Sequence, residues 1–336
     1  MLGRIPQLVE AEDELALAAS GTNSGILHTG FDSVPGELET RLILRAAELR
    51  DEVLDTLGVP VLRCGALMPN APLAVASTAA RNGVVVRARR DGALEIGGES
   101  VTDPVHCTLA FAAAAQAAGA TVRTGFRVRH VGRGGIVFST DGDVVVGDVV
   151  VNCAGLFGDE VARGAGDGSF EIYPRKGEFF VFEAALDRIL LPVPSTRTKG
   201  VLVFPTVDGR VIAGPTAVDA EDKGDWTVRP EAREEVLAKA VELHPPLAGL
   251  EPVAAYAGLR PAGRNANYVI RTSRVRGELV HCAAIRSTGL TAALGIAEHV
   301  ADMVAPGRRE APLVAGEVPD YERPWYLRTA RRRVAA

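Results

Sequence analysis

Cysteine, tryptophan and methionine are scarce in this chain. Its 336 residues include 4 Cys, 3 Met and 2 Trp, and aromatic residues make up only 5%. Cys64, Cys107, Cys153 and Cys282 lie far apart and form no C-x-x-C pair, which argues against a disulfide framework, a zinc ribbon, an Fe–S cluster or any other metal site. They read as small buried hydrophobes in a reducing compartment, so a cytoplasmic location is expected. Basic charge is not in excess either. Lys and Arg number 37 against 42 Asp and Glu, a net charge of −5, and no nucleic-acid partner is expected. No run approaches the roughly 18 uninterrupted apolar residues of a membrane helix. Met1 to Gln7 lacks the apolar core of a signal peptide. Internal repeats and low-complexity tracts are absent as well. Nothing before Leu8 resembles G-x-G-x-x-G.

What remains is ordinary globular composition, with 47% hydrophobic and 24% charged residues, 36 Gly and 20 Pro. The length suits two domains of ordinary size or one elaborate one. Apolar spacing over residues 36–57 is helical, Val84-Val85-Val86 reads as a strand, and Asp103-Pro104 opens an Ala-rich helix. Strands follow at Thr121-Val122-Arg123 and Arg127-Val128-Arg129. Ile136-Val137-Phe138 and Val144-Val145-Val146 form a hairpin around Asp141-Gly142. Val149-Val150-Val151 is a continuous apolar run, read as a strand covered on both faces, and a helix follows it. This alternation implies a parallel sheet. After Gly168 short β runs succeed one another between Gly and Pro turns, with one helix over 230–244, so that half reads as mostly antiparallel. A last helix over 291–304 is capped by Ser287-Thr288-Gly289. The Arg-bearing C-terminus (Arg328, Arg331, Arg332, Arg333) reads as a solvated tail, with contact to an acidic lipid surface as the alternative.

Three motifs carry chemistry. Glu10 ends a short apolar run, where an acidic residue can accept hydrogen bonds from a ribose, although carboxylates end many strands. Residues 20–30 place three Gly with Ser and Asn in one loop, a backbone nest suited to an anion; a plain turn explains the glycines alone equally well. His28 within that loop is less well explained by a turn. Residues 285–292 run a strand into a helix N-terminus whose N–H groups and dipole can stabilise negative charge, as an ordinary Ser/Thr cap also would. The clusters Gly132-Arg133-Gly134-Gly135 and Gly164-Ala165-Gly166-Asp167-Gly168 lack the strand-then-helix context of a phosphate loop.

In this order the residues resemble the FAD-dependent oxidoreductases of the D-amino-acid-oxidase superfamily, nearest the branch of FAD-linked glycerol-3-phosphate dehydrogenases and L-2-hydroxyglutarate oxidases. The matching stretches are Val9-Glu10, residues 19–30, Val151-Asn152-Cys153-Ala154-Gly155-Leu156, Tyr173-Pro174-Arg175-Lys176-Gly177-Glu178, Phe204-Pro205-Thr206 through Gly214-Pro215-Thr216, Gly258-Leu259-Arg260-Pro261, and residues 285–292. The resemblance implies an α/β fold with a Rossmann-like FAD-binding domain and a β-rich antiparallel substrate cap. The FAD-binding domain would comprise 1–45, 100–167 and 275–310, the cap 46–99 and 168–274, and 311–336 a tail. It implies FAD as cofactor, with Glu10 at the adenosine ribose and Ser20, Gly21, Asn23, Ser24, Gly25 and Ile26 around the pyrophosphate and flavin edge. Val128 would meet the adenine through its backbone, Ala154 and Gly155 the dinucleotide, and Gly289, Leu290 and Thr291 the flavin pyrimidine.

His28 would sit beside the isoalloxazine and Arg260 would bind the substrate's anionic group. Chemistry supports both: oxidising an alcohol needs a group that takes the hydroxyl proton, and an Arg fork matches a carboxylate or phosphate. Arg260 is expected on a short rigid turn, with Arg175 and Lys176 as secondary candidates and a surface Arg as the bland alternative. His106, His130, His244, His281 and His299 fall in helices or strands, where structural histidines are commoner. The family begins with a strand, G-x-G-x-x-G and a helix, and this chain starts just before the strand carrying Glu10, so an N-terminally shortened relative is expected. The expected activity is oxidation of a small anionic hydroxy substrate. The alternatives are a non-catalytic remnant and an amine- or amino-acid-oxidising relative. Oxygen, a quinone or another protein remain open as the electron acceptor.

Overall fold

The computed structural model of the chain describes residues 6–194, 200–307 and 312–328. The parallel pairing read from the sequence is present in two places. Gln7–Val9 runs parallel to Thr121–Arg123, with Leu8 opposite Val122, and Val150–Asn152 runs parallel to Leu279–Ala283, with Val151 opposite Val280. Val269–Thr272 adds an antiparallel neighbour to Leu279–Ala283. One expectation is corrected here. Val150–Asn152 is not covered on both faces: it has one strand partner among the described residues, and Val151 is 38% exposed.

The β-rich half forms one nine-stranded sheet. Its spine is Ile172–Phe182 paired antiparallel with Ala254–Gly263, from Ile172 opposite Gly263 to Val181 opposite Ala254. It extends through Val211–Gly214, Leu202–Pro205 and Ile189–Leu190, then by one parallel step to Ala66–Met68. The apolar side chains Phe180, Phe182, Val203, Val211 and Ala213 bury one face of this sheet under the helix Ala232–Leu243, through Ala232, Val236 and Ala240.

The helices are α1 (Leu38–Thr56), α2 (Leu73–Arg81), α3 (Pro104–Ala117), α4 (Gly158–Gly164), α5 (Ala232–Leu243) and α6 (Gly289–Val304). Asp103 caps α3 as the sequence suggests, its Oδ1 accepting the N–H groups of Val105 and His106 at 2.9 Å each, with Pro104 in the first turn. Helices α1 and α6 meet closely because Gly295 has no side chain. A Cβ there would stand 2.2 Å from the Leu42 carbonyl oxygen. Helix α1 passes without a break through residues 45 and 46. Residues 84–86 are not a strand: α2 ends at Asn82-Gly83, Val84 N–H closes on Ala79 O at 2.9 Å, and pairing starts only at Arg87–Ala88. The cysteines also differ from expectation, since only Cys107 is buried and Cys153 is exposed. No described helix is long and apolar enough to cross a membrane, and no described cluster of His, Cys, Asp or Glu could hold a metal ion.

The C-terminal segment is exposed over most of residues 312–320 but is not a solvated tail at Trp325, Tyr326 and Arg328. Trp325 and Tyr326 belong to the largest apolar cluster, where the Trp325 ring meets Tyr256 edge-on at 5.3 Å. Arg328 is buried, donating to Ala16 O at 3.2 Å and Leu15 O at 3.0 Å and pairing with Glu14 at 2.7 Å. Arg331, Arg332 and Arg333 lie outside the described residues. A buried Trp deleted to Ala typically costs 3–5 kcal/mol, so Trp325→Ala is expected to lower the urea-unfolding free energy by about that amount. A loss under about 1 kcal/mol would show that the segment contributes no core.

Candidate active site

The loop predicted to cradle an anion is stitched to the N-terminus of α6. Ile26–Leu27 pairs with Ser100–Thr102, and Thr291 Oγ1 donates to Ile26 O at 3.1 Å while accepting His28 N–H at 3.2 Å. Asn23 Nδ2 donates to Ser287 O at 3.2 Å, and its Oδ1 accepts Gly25 N–H at 3.0 Å. Ser24 Oγ accepts Ile26 N–H at 3.3 Å. Two glycines are dictated by contact rather than by mobility. A Cβ on Gly21 would lie 2.0 Å from Ala16 O, and one on Gly25 (φ +77°) 2.2 Å from Thr102 O. Ser20 stays exposed at the loop's start. The first-turn N–H groups of α6, at Gly289, Leu290 and Thr291, thus face the same region as the loop. The Ser/Thr cap expected there is corrected: Thr288 Oγ1 makes no cap bond and instead donates to Glu39 Oε1 at 2.6 Å.

The other expected dinucleotide contacts lie at strand ends. Glu10 follows Gln7–Val9, its N–H bound to Arg123 O at 2.9 Å and its carboxylate to Glu12 N–H at 3.0 Å. Val128 opens the strand Val128–Val131, opposite Ser139 at a bulge. Ala154 and Gly155 follow Val150–Asn152. Gly155 has φ +54° and nothing within 4 Å of its would-be Cβ, so its backbone is open to close approach. This donor set suits a dinucleotide. N–H groups and hydroxyls match anionic oxygens, Glu10 can accept from a ribose diol, and bare backbone at Gly155 admits a flat or anionic group.

His28 is held by a partner that sequence reasoning missed. Its Nδ1 lies 2.8 Å from Oε2 of fully buried Glu99, whose Oε1 accepts Thr29 N–H at 2.7 Å and Thr29 Oγ1 at 2.9 Å. Arg50 supplies the balancing charge from α1, donating to Leu27 O, His28 O and Gly98 O at 3.0, 2.8 and 2.6 Å. Burial pulls the Arg50 guanidinium below its usual value, and Glu99 opposes that. A carboxylate only accepts, so Nδ1 carries the proton and Nε2 keeps its lone pair. The ring borders a small open recess shared with Phe31, Asp32, Met68, Leu191 and Pro192.

Arg260 is in the middle of the strand Ala254–Gly263 rather than on a short turn, opposite Arg175. Its Nε donates to Arg175 O at 3.0 Å, and Nη2 donates to Lys176 O at 2.9 Å and Thr216 O at 2.8 Å. Gly177 makes room for this fork: a Cβ there would stand 2.9 Å from Arg260 Nη2. Burial lowers the guanidinium to about 10, and neighbouring Arg175 and Arg286 push the same way; it remains charged at neutral pH. No carboxylate salt-bridges Arg260, and Nη1 makes no hydrogen bond to the described residues. The fork is therefore aimed by neutral carbonyls without a direct ion pair, while the charge of Asp219 opposes the effect of burial. Arg286, also missed from sequence, is pinned by Glu39 Oε2 at 2.8 Å. Arg175 and Lys176 are corrected as free anion-binding groups. Arg175 is bidentate on Asp219 at 2.5 and 3.1 Å, and Lys176 is buried with Asp225 at 2.6 Å and Thr227 O at 3.0 Å. Strand alternation turns Lys176 to the face opposite Arg260 and Arg175.

Comparison with known proteins bears on the whole of this arrangement. A glycerol 3-phosphate dehydrogenase of Caloramator mitchellensis is 26% identical over 88% of this chain and 68% of its own length. A glycerol 3-phosphate oxidase of Mycoplasma pneumoniae is 25% identical over 95% of this chain and 92% of its own. The dithionite-reduced L-alpha-glycerophosphate oxidase structure from M. pneumoniae, with FAD bound, superposes with a TM-score of 0.82 at 22% identity. It covers 95% of this chain and 90% of that one. The family described as FAD dependent oxidoreductase matches residues 7–303, and the chain belongs to it: an α/β flavoenzyme fold whose cofactor is FAD.

Proposed function

We propose that the chain oxidises a small anionic hydroxy substrate, a 2-hydroxy acid or a glycerol-3-phosphate-like molecule, by hydride transfer to FAD. The observation that carries this is the His28–Glu99 pair beside the recess that His28 lines, in which Glu99 engages Nδ1 and leaves Nε2 as the ring nitrogen available to a substrate. FAD, when bound, supplies the two-electron acceptor for the substrate's C–H bond. His28 Nε2 takes the hydroxyl proton, Glu99 stabilises the imidazolium that results, and the Arg260 fork, which no described carboxylate ion-pairs, orients the anionic group. Phe31, Met68, Leu191 and Pro192 give the recess beside the base a largely apolar wall, with Asp32 at its side.

On this reading Glu10, Ser20, Gly21, Asn23, Ser24, Gly25, Ile26, Val128, Ala154, Gly155, Gly289, Leu290 and Thr291 hold the cofactor. The cofactor part is 1–45, 100–167 and 275–310, and the cap 46–99 and 168–274, with α1 shared across the boundary at 45/46. The family likeness and the suitability of the donor set support these assignments. The test is anaerobic bleaching of the FAD-reconstituted protein by glycerol 3-phosphate, L-2-hydroxyglutarate and glycine. Bleaching by a hydroxy substrate and not by glycine is expected. Bleaching by glycine alone would move the chain to amine oxidation, and bleaching by none would leave a non-catalytic relative.

A further inference from the structure

A buried polar chain lies under the turn that follows Val150–Asn152 and shares no residue with the His28–Glu99 pair or the Arg260 fork. Asn152 ties both ends of that turn: its Oδ1 accepts Ala154 N–H at 3.2 Å, and its Nδ2 donates to Gly158 O at 2.7 Å. The remaining Nδ2 proton faces His281 Nδ1 at 3.2 Å, and His281 Nε2 lies 3.2 Å from Asp167 Oδ2. Asp167 is itself saturated, accepting Ser273 Oγ at 2.7 Å, Arg274 N–H at 2.9 Å and Ser169 N–H at 3.1 Å. These donors hold its carboxyl well below the usual range against the opposing effect of burial.

The polarity of this chain is determined throughout. An ionised Asp167 accepts only, so His281 Nε2 carries the proton and Nδ1 offers a lone pair. An amide nitrogen donates only, so Asn152 is locked with Nδ2 toward the imidazole and Oδ1 toward Ala154. We propose that Asn152, oriented by the His281–Asp167 pair, is the positioning residue for the turn 153–158 on which FAD retention depends, and that protonation of His281 releases the turn. This rests on the reading that Ala154 and Gly155 meet the dinucleotide.

The groups around the imidazole favour its neutral form. Burial pushes His281 below the ordinary 6.5 and Arg271 adds to that, while Asp167 opposes. Arg271, on Val269–Thr272, lies 3.9 Å from Asp167 and also binds the Ser169 hydroxyl. Asp159 on α4, the other charge near this strand, is tied to Lys223 at 2.8 Å and Arg163 at 2.9 Å. Phe170 covers the ring edge-on at 5.1 Å. A protonated His281 would turn an N–H toward Asn152 Nδ2, donor against donor. Rotating the amide to relieve this gives up the bonds to Ala154 and Gly158 together. The sign follows from the depressed native value. The unfolded chain binds the proton more readily, so the contribution is complete above about pH 6.5 and is lost as pH falls.

The experiment is FAD dissociation followed by flavin fluorescence from about pH 8 to about pH 5, on the wild type, Asn152→Asp and His281→Leu. Wild-type affinity is expected to be constant above about pH 6.5 and to be progressively lost below it, toward the depressed native value of His281. Asn152→Asp puts an acceptor opposite both His281 Nδ1 and Gly158 O, so it should bind FAD more weakly than the wild type at high pH, with the deficit shrinking as pH falls and His281 gains its proton. His281→Leu should bind more weakly with the wild-type loss on the acid side removed. Hydrogen exchange on the apo-proteins at one pH gives a second readout. The turn 153–158 should lose protection in His281→Leu while α3 keeps it. A flat wild-type profile, or Asn152→Asp following the wild-type curve, overturns the inference. If the wild type takes up no FAD at any pH, the cofactor reading fails instead. Exchange in the turn then decides whether Asn152 and His281 hold it.

Discussion

Replacing His28 by asparagine is expected to slow substrate-driven flavin bleaching by about 10²–10⁴-fold, the usual contribution of a positioned general base. Asparagine keeps a donor for Glu99 Oε2 at the distance His28 Nδ1 now spans, so the carboxylate is not stranded. What disappears is the second ring nitrogen of a residue that lines the recess with Phe31, Met68 and Leu191. FAD affinity should change by less than about threefold, because the expected cofactor contacts lie in residues 20–26 and at the start of α6. Stopped-flow reduction at saturating substrate separates the two effects. Glu99→Gln is the companion. It removes the charge that stabilises the imidazolium and leaves Arg50 buried without its counter-charge, so both rate and stability should fall. Reduction of His28→Asn within about fivefold of the wild type would place the base elsewhere.

Much of the architecture was legible because it follows from local rules. The Asp103-Pro104 cap, the Ala-rich helix after it, the parallel alternation around Thr121–Arg123 and Val150–Asn152, and the antiparallel texture after Gly168 all appear where patterning puts them. His28 drew notice as a histidine in a glycine loop, which a plain turn explains less well, and the structure places it against buried Glu99. Glu99 was not legible, because its link to His28 is a contact across 71 residues made only when Ile26–Leu27 pairs with Ser100–Thr102. Arg286 was hidden for the same reason, its orientation depending on Glu39 of α1. Lys176 misled because sequence shows charge but not its partner: Asp225 lies 49 residues away. Val149-Val150-Val151 misled differently. Apolarity signals a buried strand, yet how many neighbours cover it is a property of the sheet, and here one described neighbour does. The Arg-bearing C-terminus reads as solvated by charge alone, whereas the aromatic pair Trp325-Tyr326 carries the burial.

Arg260→Lys is expected to raise the KM of an anionic substrate by about 10–100-fold, with a smaller change in kcat. A hydrogen bond to a charged group contributes roughly 1.5–3 kcal/mol, and losing one good bond accounts for that range. The reason lies in geometry. Arg260 spends Nε and Nη2 on three backbone carbonyls, Arg175 O, Lys176 O and Thr216 O, and these aim the rest of the fork. Lysine keeps the charge but is a single flexible point. It can satisfy the carbonyls or reach the substrate, and not both in one plane. Arg260→Met should lose the anion and also strand three acceptors, so a fall in stability would accompany its loss of affinity. Guanidinium added to that variant should restore part of the binding, which a purely structural defect would not allow. An unchanged KM in Arg260→Lys would move the anion to another cation. Arg286 would be the first to test, since it stands close enough to lower the Arg260 guanidinium and pairs with Glu39 among the described residues. In that case Arg286→Met should raise KM where Arg260→Lys did not, because freeing Glu39 of its partner would also place a carboxylate beside the incoming anion.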